Sequence, residues 1–411
     1  MHISQSGPAG DRQAHICLRD IGTVTKARTV EAEEKVNGRT AEFQEKLQRV
    51  RGFLKKHKLG GVLLNEQKYF SWATAGGENY VVLGHDFGVG YLLITEDSFT
   101  VLANNIEIHR FADEEFYALS KKGIEFWSCP WHEDHQIFSE VQRRMKSRKW
   151  ASDCGAPGSI PLPGEFAELT YQLTPDEIER YRRLGHDCSV AMEAALEGLE
   201  PGYRETRIAS RIAASMLEYN VRPHLVLVAG DERVFKYRHP IPVHSNRAKK
   251  HLMAVLCGKR GGLIINLTRM VHFGRTLPSG LRRRHDAVCQ VDFALNSGTR
   301  PGRTAAQVFK DGLDAYKLHG FEEEWKLHHQ GGPTGYQGRS YRGTPTETRK
   351  VLRNQAYAWN PSITGTKSED TIIVPDTGTD FELLSGPTLR WPAITFRRGA
   401  KLYRRADIRL M

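Results

Sequence analysis

Apolar positions at three- and four-residue spacing (Phe43, Leu47, Val50, Leu54) predict a helix from about Ala41 to Lys58, which Gly60-Gly61 stops. Before it, residues 1–40 show no sustained periodicity and are rich in polar residues, which predicts a flexible extension. After it, Gly61-Val62-Leu63-Leu64 is a short buried-strand pattern, and Gly90–Ile94 with Phe99–Leu102 predict a hairpin. An amphipathic segment from Ile137 to Met145 completes an α/β unit over 41–165, and the Gly/Pro-rich stretch Gly155–Gly164 is the linker that closes it.

A second domain, 172–411, opens on a strong helix signal. Thr174 is the N-cap, Pro175 the first helical residue and Glu177 the capping-box partner; Ile178, Tyr181, Leu184, Cys188, Ala191 and Ala195 trace one face as far as Gly198. Pro201-Gly202 precedes a helix through Ile208, Ile212 and Met216. One hundred positions later Pro301-Gly302 precedes a similar helix through Val308, Leu313 and Tyr316. Such a repeat is what two related αβ halves would show.

Composition narrows the class. A chain of 411 residues with 39% hydrophobic and 26% charged content fits a soluble protein of two domains. No apolar run approaches the roughly 20 residues of a membrane span, and the first residues lack the pattern of a secretory signal. Six cysteines lie far apart without a C-x-x-C pair, which predicts reduced thiols and a cytoplasmic location. The net charge of +11 is spread over amphipathic segments, with no nucleic-acid module beside it, so a nucleic-acid partner is not expected. Such a charge is first of all a solvated surface, and after that an attraction for an anionic small molecule.

Four segments carry chemistry. In Lys236-Tyr237-Arg238-His239-Pro240 an imidazole stands beside a rigid turn, a fit position for proton transfer near neutral pH, although a histidine there is also an ordinary surface residue. Val255-Leu256-Cys257-Gly258 is followed by Asn266-Leu267-Thr268-Arg269. His328-His329-Gln330-Gly331-Gly332 then leads to Tyr336, and Trp359-Asn360-Pro361-Ser362 leads to Lys367-Ser368-Glu369-Asp370-Thr371.

In this order the segments resemble the creatinase/aminopeptidase P family. The resemblance implies an α+β protein, with a creatinase-like N-terminal α/β domain followed by a C-terminal pita-bread domain. In the family, five residues hold a pair of metal ions. They fall here on Val255 or Leu256, Asn266, His329, Asn360 and Glu369, so only an imidazole and one carboxylate survive in kind. Neutral amides and an aliphatic side chain cannot balance two divalent cations. The expectation is therefore no metal cofactor and a metal-independent hydrolase of a C–N (amide or amidine) bond in a small polar substrate. His239, His329 and Glu369 would be catalytic; Arg238, Asn266, Tyr336, Asn360 and Lys367 would bind substrate. The alternatives are a metal-dependent Xaa-Pro aminopeptidase with two ions such as Mn or Co, and a non-catalytic pita-bread protein that binds a peptide or partner. The family also implies a homodimer, in which Lys68–Trp72 is the natural contributor to the partner's site, although an aromatic run of this kind is more often packing than substrate contact.

Overall fold

The computed structural model describes residues 19–119, 123–377 and 380–411, and for residues 19–37 the backbone alone. A helix spans Arg19–His57, so it begins some twenty residues before the expected start. The expectation of a flexible extension is corrected over 19–40 and lies outside the described residues over 1–18. No apolar stripe marks the added turns. Strong helix formers such as Glu31, Ala32, Glu33, Glu34 and Lys35 carry them instead.

Behind this helix lies a six-stranded sheet. Strand Gly61–Glu66 pairs antiparallel with Phe87–Thr95 and parallel with Trp150–Ser152. Phe87–Thr95 continues antiparallel into Phe99–Asn104, the expected hairpin, and Ile124–Cys129 adds a parallel edge. The other edge is Ile160–Pro161, inside the stretch read as a linker. Phe43, Val50 and Leu54 of the long helix pack on this sheet with Leu64, Leu92 and Val101. Helix Gln67–Ala73 follows the first strand, and Phe70 and Trp72 are wholly buried. Phe166 covers Tyr69 and Trp72, with ring centroids 5.1 and 6.1 Å away. Of the two roles open to this aromatic run, the described residues show packing: its rings are covered within the chain itself.

The capping box at Thr174 forms as read. Thr174 Oγ1 accepts from the Glu177 amide, and the Glu177 carboxylate accepts from the Thr174 amide at 2.7 Å. Helices Pro175–Leu196 and Glu205–Glu218 precede strands Arg222–Gly230, His251–Arg260 and Leu263–His272. The second half repeats the order, with helices Ser279–Gly298 and Ala305–Leu318 before strands Gly331–Thr334, Ala356–Trp359 and Asp370–Ile373. The two antiparallel sheets meet where Leu263–His272 lies beside Asp370–Ile373, forming a curved double sheet with helices on its convex side. Among the described residues no helix is long and apolar enough to cross a membrane.

One buried cation ties the halves together. Arg269, 1% exposed, reaches Glu193 on the first helix at 3.1 Å, Asp370 in the second half at 3.0 Å and the Ser385 carbonyl at 2.9 Å. Breaking such a group strands its carboxylate partners in low dielectric. Arg269→Met should therefore cost about 3–5 kcal/mol of stability. Urea unfolding at unchanged m would show the loss; a change below about 1 kcal/mol would mean the junction is held by packing alone.

Candidate functional site

Alternation along two strands builds the centre. Side chains in a strand point to opposite faces in turn, so Thr268 and Glu369 face the concave side while Arg269 and Asp370 face the helices. The backbones are locked there, with the Thr268 amide donating to the Glu369 carbonyl at 2.9 Å. Thr371 Oγ1 accepts from the Asn266 amide at 2.9 Å and donates to its carbonyl at 3.0 Å.

Glu369 is 3% exposed and its carboxylate is fully engaged by protein groups. Lys367 Nζ lies 2.7 Å from Oε2, Arg339 donates to Oε1 at 2.8 Å, and Thr268 Oγ1 donates to Oε2 at 2.9 Å. Burial alone would raise its pKa, but Lys367 and Arg339 outweigh burial and bring it down to about 2.

Facing these groups is a histidine cluster. His239 Nε2 and His328 Nε2 share a hydrogen bond of 3.1 Å, and the rings of His328 and His329 lie 4.5 Å apart between centroids. Ser362 Oγ reaches His328 Nδ1 at 3.4 Å, and the Gly331 amide donates to His329 Nδ1 at 3.3 Å. Gly331 makes this turn possible: with φ at +94°, any Cβ there would sit 2.2 Å from the Ala358 carbonyl oxygen. Burial, then the neighbouring cations, keeps all three rings neutral. It brings His329 to about 3, with Arg339 the next cause. His328 falls far below the usual range, with Lys367 second, and His239 is lowered by burial and then by Lys367.

Of the expected site residues, His239, His329, Glu369 and Lys367 come together. Asn266 joins them, bonded by the Cys257 thiol at 3.1 Å and donating to Thr334 Oγ1 at 3.1 Å. Asn360 is 2% exposed, and its Oδ1 has no hydrogen-bond partner among the described residues. Two expectations are corrected. The Tyr336 hydroxyl donates to Glu177 at 2.7 Å and receives Lys46 at 3.1 Å, within a buried seam that Lys46, Glu42 and Arg180 complete. It holds the N-terminal helix to the double sheet and has no free valence for substrate. Arg238 is committed to Glu324 at 2.6 Å, with Thr364 Oγ1 at 3.1 Å, so its charge is already balanced.

The sequence reading missed four participants. His328 stood visible beside His329. Cys257 is directly paired with Asn266 across the hairpin, whereas Val255 pairs with Thr268 and Leu256 packs into the helix-side core. Burial, then the charge of Glu369, pushes the Cys257 thiol up to about 12. Thr268 was read as part of a motif without a role. Arg339 carried no sequence signal, being one arginine in a turn remote from Glu369 along the chain.

The donor set does not suit a pair of divalent metals. Both Glu369 oxygens are occupied by cationic groups, and Asn266, Asn360 and Cys257 supply no charge at neutral pH. His239, His328 and His329 do place one nitrogen each within 4.8 Å of the others, a possible cation pocket by distance. The charge there opposes a cation, because Lys367, Arg339 and Arg342 all act on these rings against the single carboxylate of Glu369.

Comparison with known proteins bears on the fold and the family. The model of metallopeptidase family M24 matches residues 179–376. Among solved structures, the Xaa-Pro dipeptidase of Bacillus anthracis superposes with a TM-score of 0.71 at 16% identity, covering 90% of this chain and 100% of its own. The prolidase of Pyrococcus horikoshii gives 0.69 at 17% identity, covering 84% and 99%. The N-terminal domain of the FACT complex subunit SPT16 from chickpea, Cicer arietinum, gives 0.65 at 10% identity, covering 86% and 96%. At such identities these likenesses establish the fold alone. No curated protein matches the sequence.

The ion triplet makes a pH-dependent prediction. The Glu369 carboxylate, held near 2 against an ordinary 4.5, stabilises the fold above about pH 4.5 and loses that contribution as pH falls towards 2. Glu369→Gln leaves Lys367 and Arg339 uncompensated and should cost roughly 3–5 kcal/mol at pH 7. Denaturant titrations of both proteins should show the difference shrinking between pH 4.5 and 2; a gap that does not vary with pH would refute the linkage.

Proposed function

We propose that the chain is a hydrolase of metallopeptidase family M24, whose model matches residues 179–376, and that its centre cleaves a C–N bond in a small polar substrate without a metal pair. The carrying observation is the Lys367–Glu369–Arg339 triplet, which puts two organic cations on the carboxylate that the family offers to metal.

The residues divide the work. His239 stands at the exposed rim as a neutral imidazole, and its Nδ1 has no partner among the described residues. The Ser362–His328–His239 chain passes a hydrogen bond in either sense, since each neutral ring donates at one nitrogen and accepts at the other. His239 takes the proton of an attacking water and returns it to the leaving nitrogen. Lys367 and Arg339 supply the positive field in which an oxyanion on the attacked carbon is stabilised. Asn266 and Asn360 offer neutral polar contacts to the substrate, and the unpartnered Asn360 Oδ1 is an acceptor for a substrate N–H.

A second reading is favoured by the same triplet. A carboxylate whose oxygens are all occupied is better placed to organise a binding pocket than to exchange protons, which is the behaviour of a non-catalytic pita-bread protein. In either case the free buried thiols Cys129, Cys188 and Cys289 support a reducing, cytoplasmic location. A homodimer is the proposed assembly, with the exposed run Val81, Val82 and Leu83 as an apolar contact surface.

Two measurements test these statements. In the first, N-acyl amino acids, Xaa-Pro dipeptides and creatine-like or ectoine-like amidines are screened for turnover. With any substrate found, activity should survive chelation, the dialysed protein should hold less than about one divalent ion per chain, and His239→Ala should slow turnover roughly a hundredfold without unfolding the protein. Two tightly bound Mn, Co or Zn ions per chain would overturn the metal-independent reading, and binding without turnover would favour the second one. In the other, light scattering at micromolar concentration should report twice the chain mass; a monomer would end the dimer proposal.

A further inference from the structure

The structure places two cations side by side at a cavity that His239, His328 and His329 do not line. Arg222 and Lys259 are direct cross-strand partners, where strand Arg222–Gly230 pairs antiparallel with His251–Arg260 just past a bulge at Cys257/Gly258. Like charges opposite each other on a sheet repel, and both residues are more than nine-tenths buried, at 9% and 6% exposure. Neither is adequately matched by protein. Lys259 Nζ has no hydrogen bond or ion pair among the described residues. Arg222 Nη2 makes a 3.3 Å bond to Gln67 and a loose 3.7 Å approach to Glu78, while its buried Nη1 has no partner.

Both side chains line a cavity of about 410 Å³ between the N-terminal domain and the double sheet. Its polar wall includes Gln67, His85, His224 and Arg339. The acidic groups beside it are Glu66, already paired with Lys68, and Asp86. The arginine is held in place: its guanidinium lies over the Tyr80 ring, 3.7 Å from the centroid. Burial, then Arg222, lowers the Lys259 ammonium to about 8 against the opposing pull of Glu78 and Asp86. A buried charge is normally paired or hydrogen-bonded, and here the missing partner is an anion.

We propose that Arg222 and Lys259 form a binding site for a compact oxyanion, a carboxylate or phosphate group of a small molecule, in this interdomain cavity. The guanidinium offers its free Nη1 and the ammonium three unused donors, a combination suited to two oxygens of one anionic group. The site stands independently of any catalysis at Glu369. Arg339, which borders the cavity and also grips Glu369, is the element the two share.

The test uses the full chain at constant ionic strength, with inorganic phosphate and succinate in separate arms and chloride as the reference. Saturable binding by calorimetry, with a matching rise in melting temperature, is expected for at least one oxyanion; the arm that responds identifies phosphate or carboxylate as the class. Lys259→Met should weaken that binding about tenfold or more. Without added anion, the variant should melt no lower than the parent, because the substitution removes a repulsion. Lys259→Gln, which keeps length and polarity, should lose binding equally and serves if the methionine variant folds poorly. Absence of saturable binding to both oxyanions in the parent would overturn the site, as would undiminished binding in both variants or a lowered melting temperature in both.

Discussion

Two dipeptides from opposite halves of the chain, Thr268-Arg269 and Glu369-Asp370, hold the curved sheet together and set its chemistry. Their backbones are joined by the Thr268 amide on the Glu369 carbonyl. The alternation of a strand then sends each pair of side chains in opposite directions. Arg269 and Asp370 close a buried ion pair on the helix side, and Thr268 and Glu369 meet on the concave side. The structural and chemical roles are inseparable here, because a one-residue slip in either strand would exchange them. Burial raises Asp370 to about 6 against the opposing pull of Arg269, whereas Glu369, two peptide units from Lys367, is held near 2. Adjacent carboxylates in one strand thus titrate far apart because different cations face them.

From that junction the electrostatic character of the centre follows. Lys367 and Arg339 saturate the one carboxylate, and with Arg342 they leave a positive surplus that neutral histidines cannot absorb. Imidazoles in a positive, partly desolvated setting lose their protons, so the cluster at His239, His328 and His329 is basic in function yet uncharged at neutral pH. That surplus is the ground on which a centre without a metal pair is proposed. A second positive pair borders the interdomain cavity, where Arg222 and Lys259 are opposed across two strands with Glu78 only loosely approaching Arg222.

Much of this was legible in the chain because it is written in local terms. The capping box at Thr174 needs only residues three apart. The two Pro-Gly-helix units lie one hundred residues apart, and the loss of carboxylates at Asn266 and Asn360 is a matter of residue type. What the sequence hid depends on contacts between distant segments. Arg339 is thirty residues from Glu369 and is placed on it by the turn that follows Gly331–Thr334. Tyr336 was expected to bind substrate, but Lys46 of the N-terminal domain and Glu177 of its own domain capture its hydroxyl. The early turns of the Arg19–His57 helix escaped notice because intrinsic propensity, without an apolar stripe, supports them.

The same contacts explain why the metal cage would not return by restoring a single carboxylate. A glutamate at 360 would enter a site where Asn360 is 2% exposed and Glu369 already answers to two cations. The first family aspartate would still be missing, because Val255 packs with Met253 and Met270, and Cys257, paired with Asn266, keeps its proton to about pH 12. A divalent ion at Glu369 would have to displace these organic cations from its carboxylate. Lys367 and Arg339 therefore set the charge around Glu369 more strongly than the missing carboxylates do.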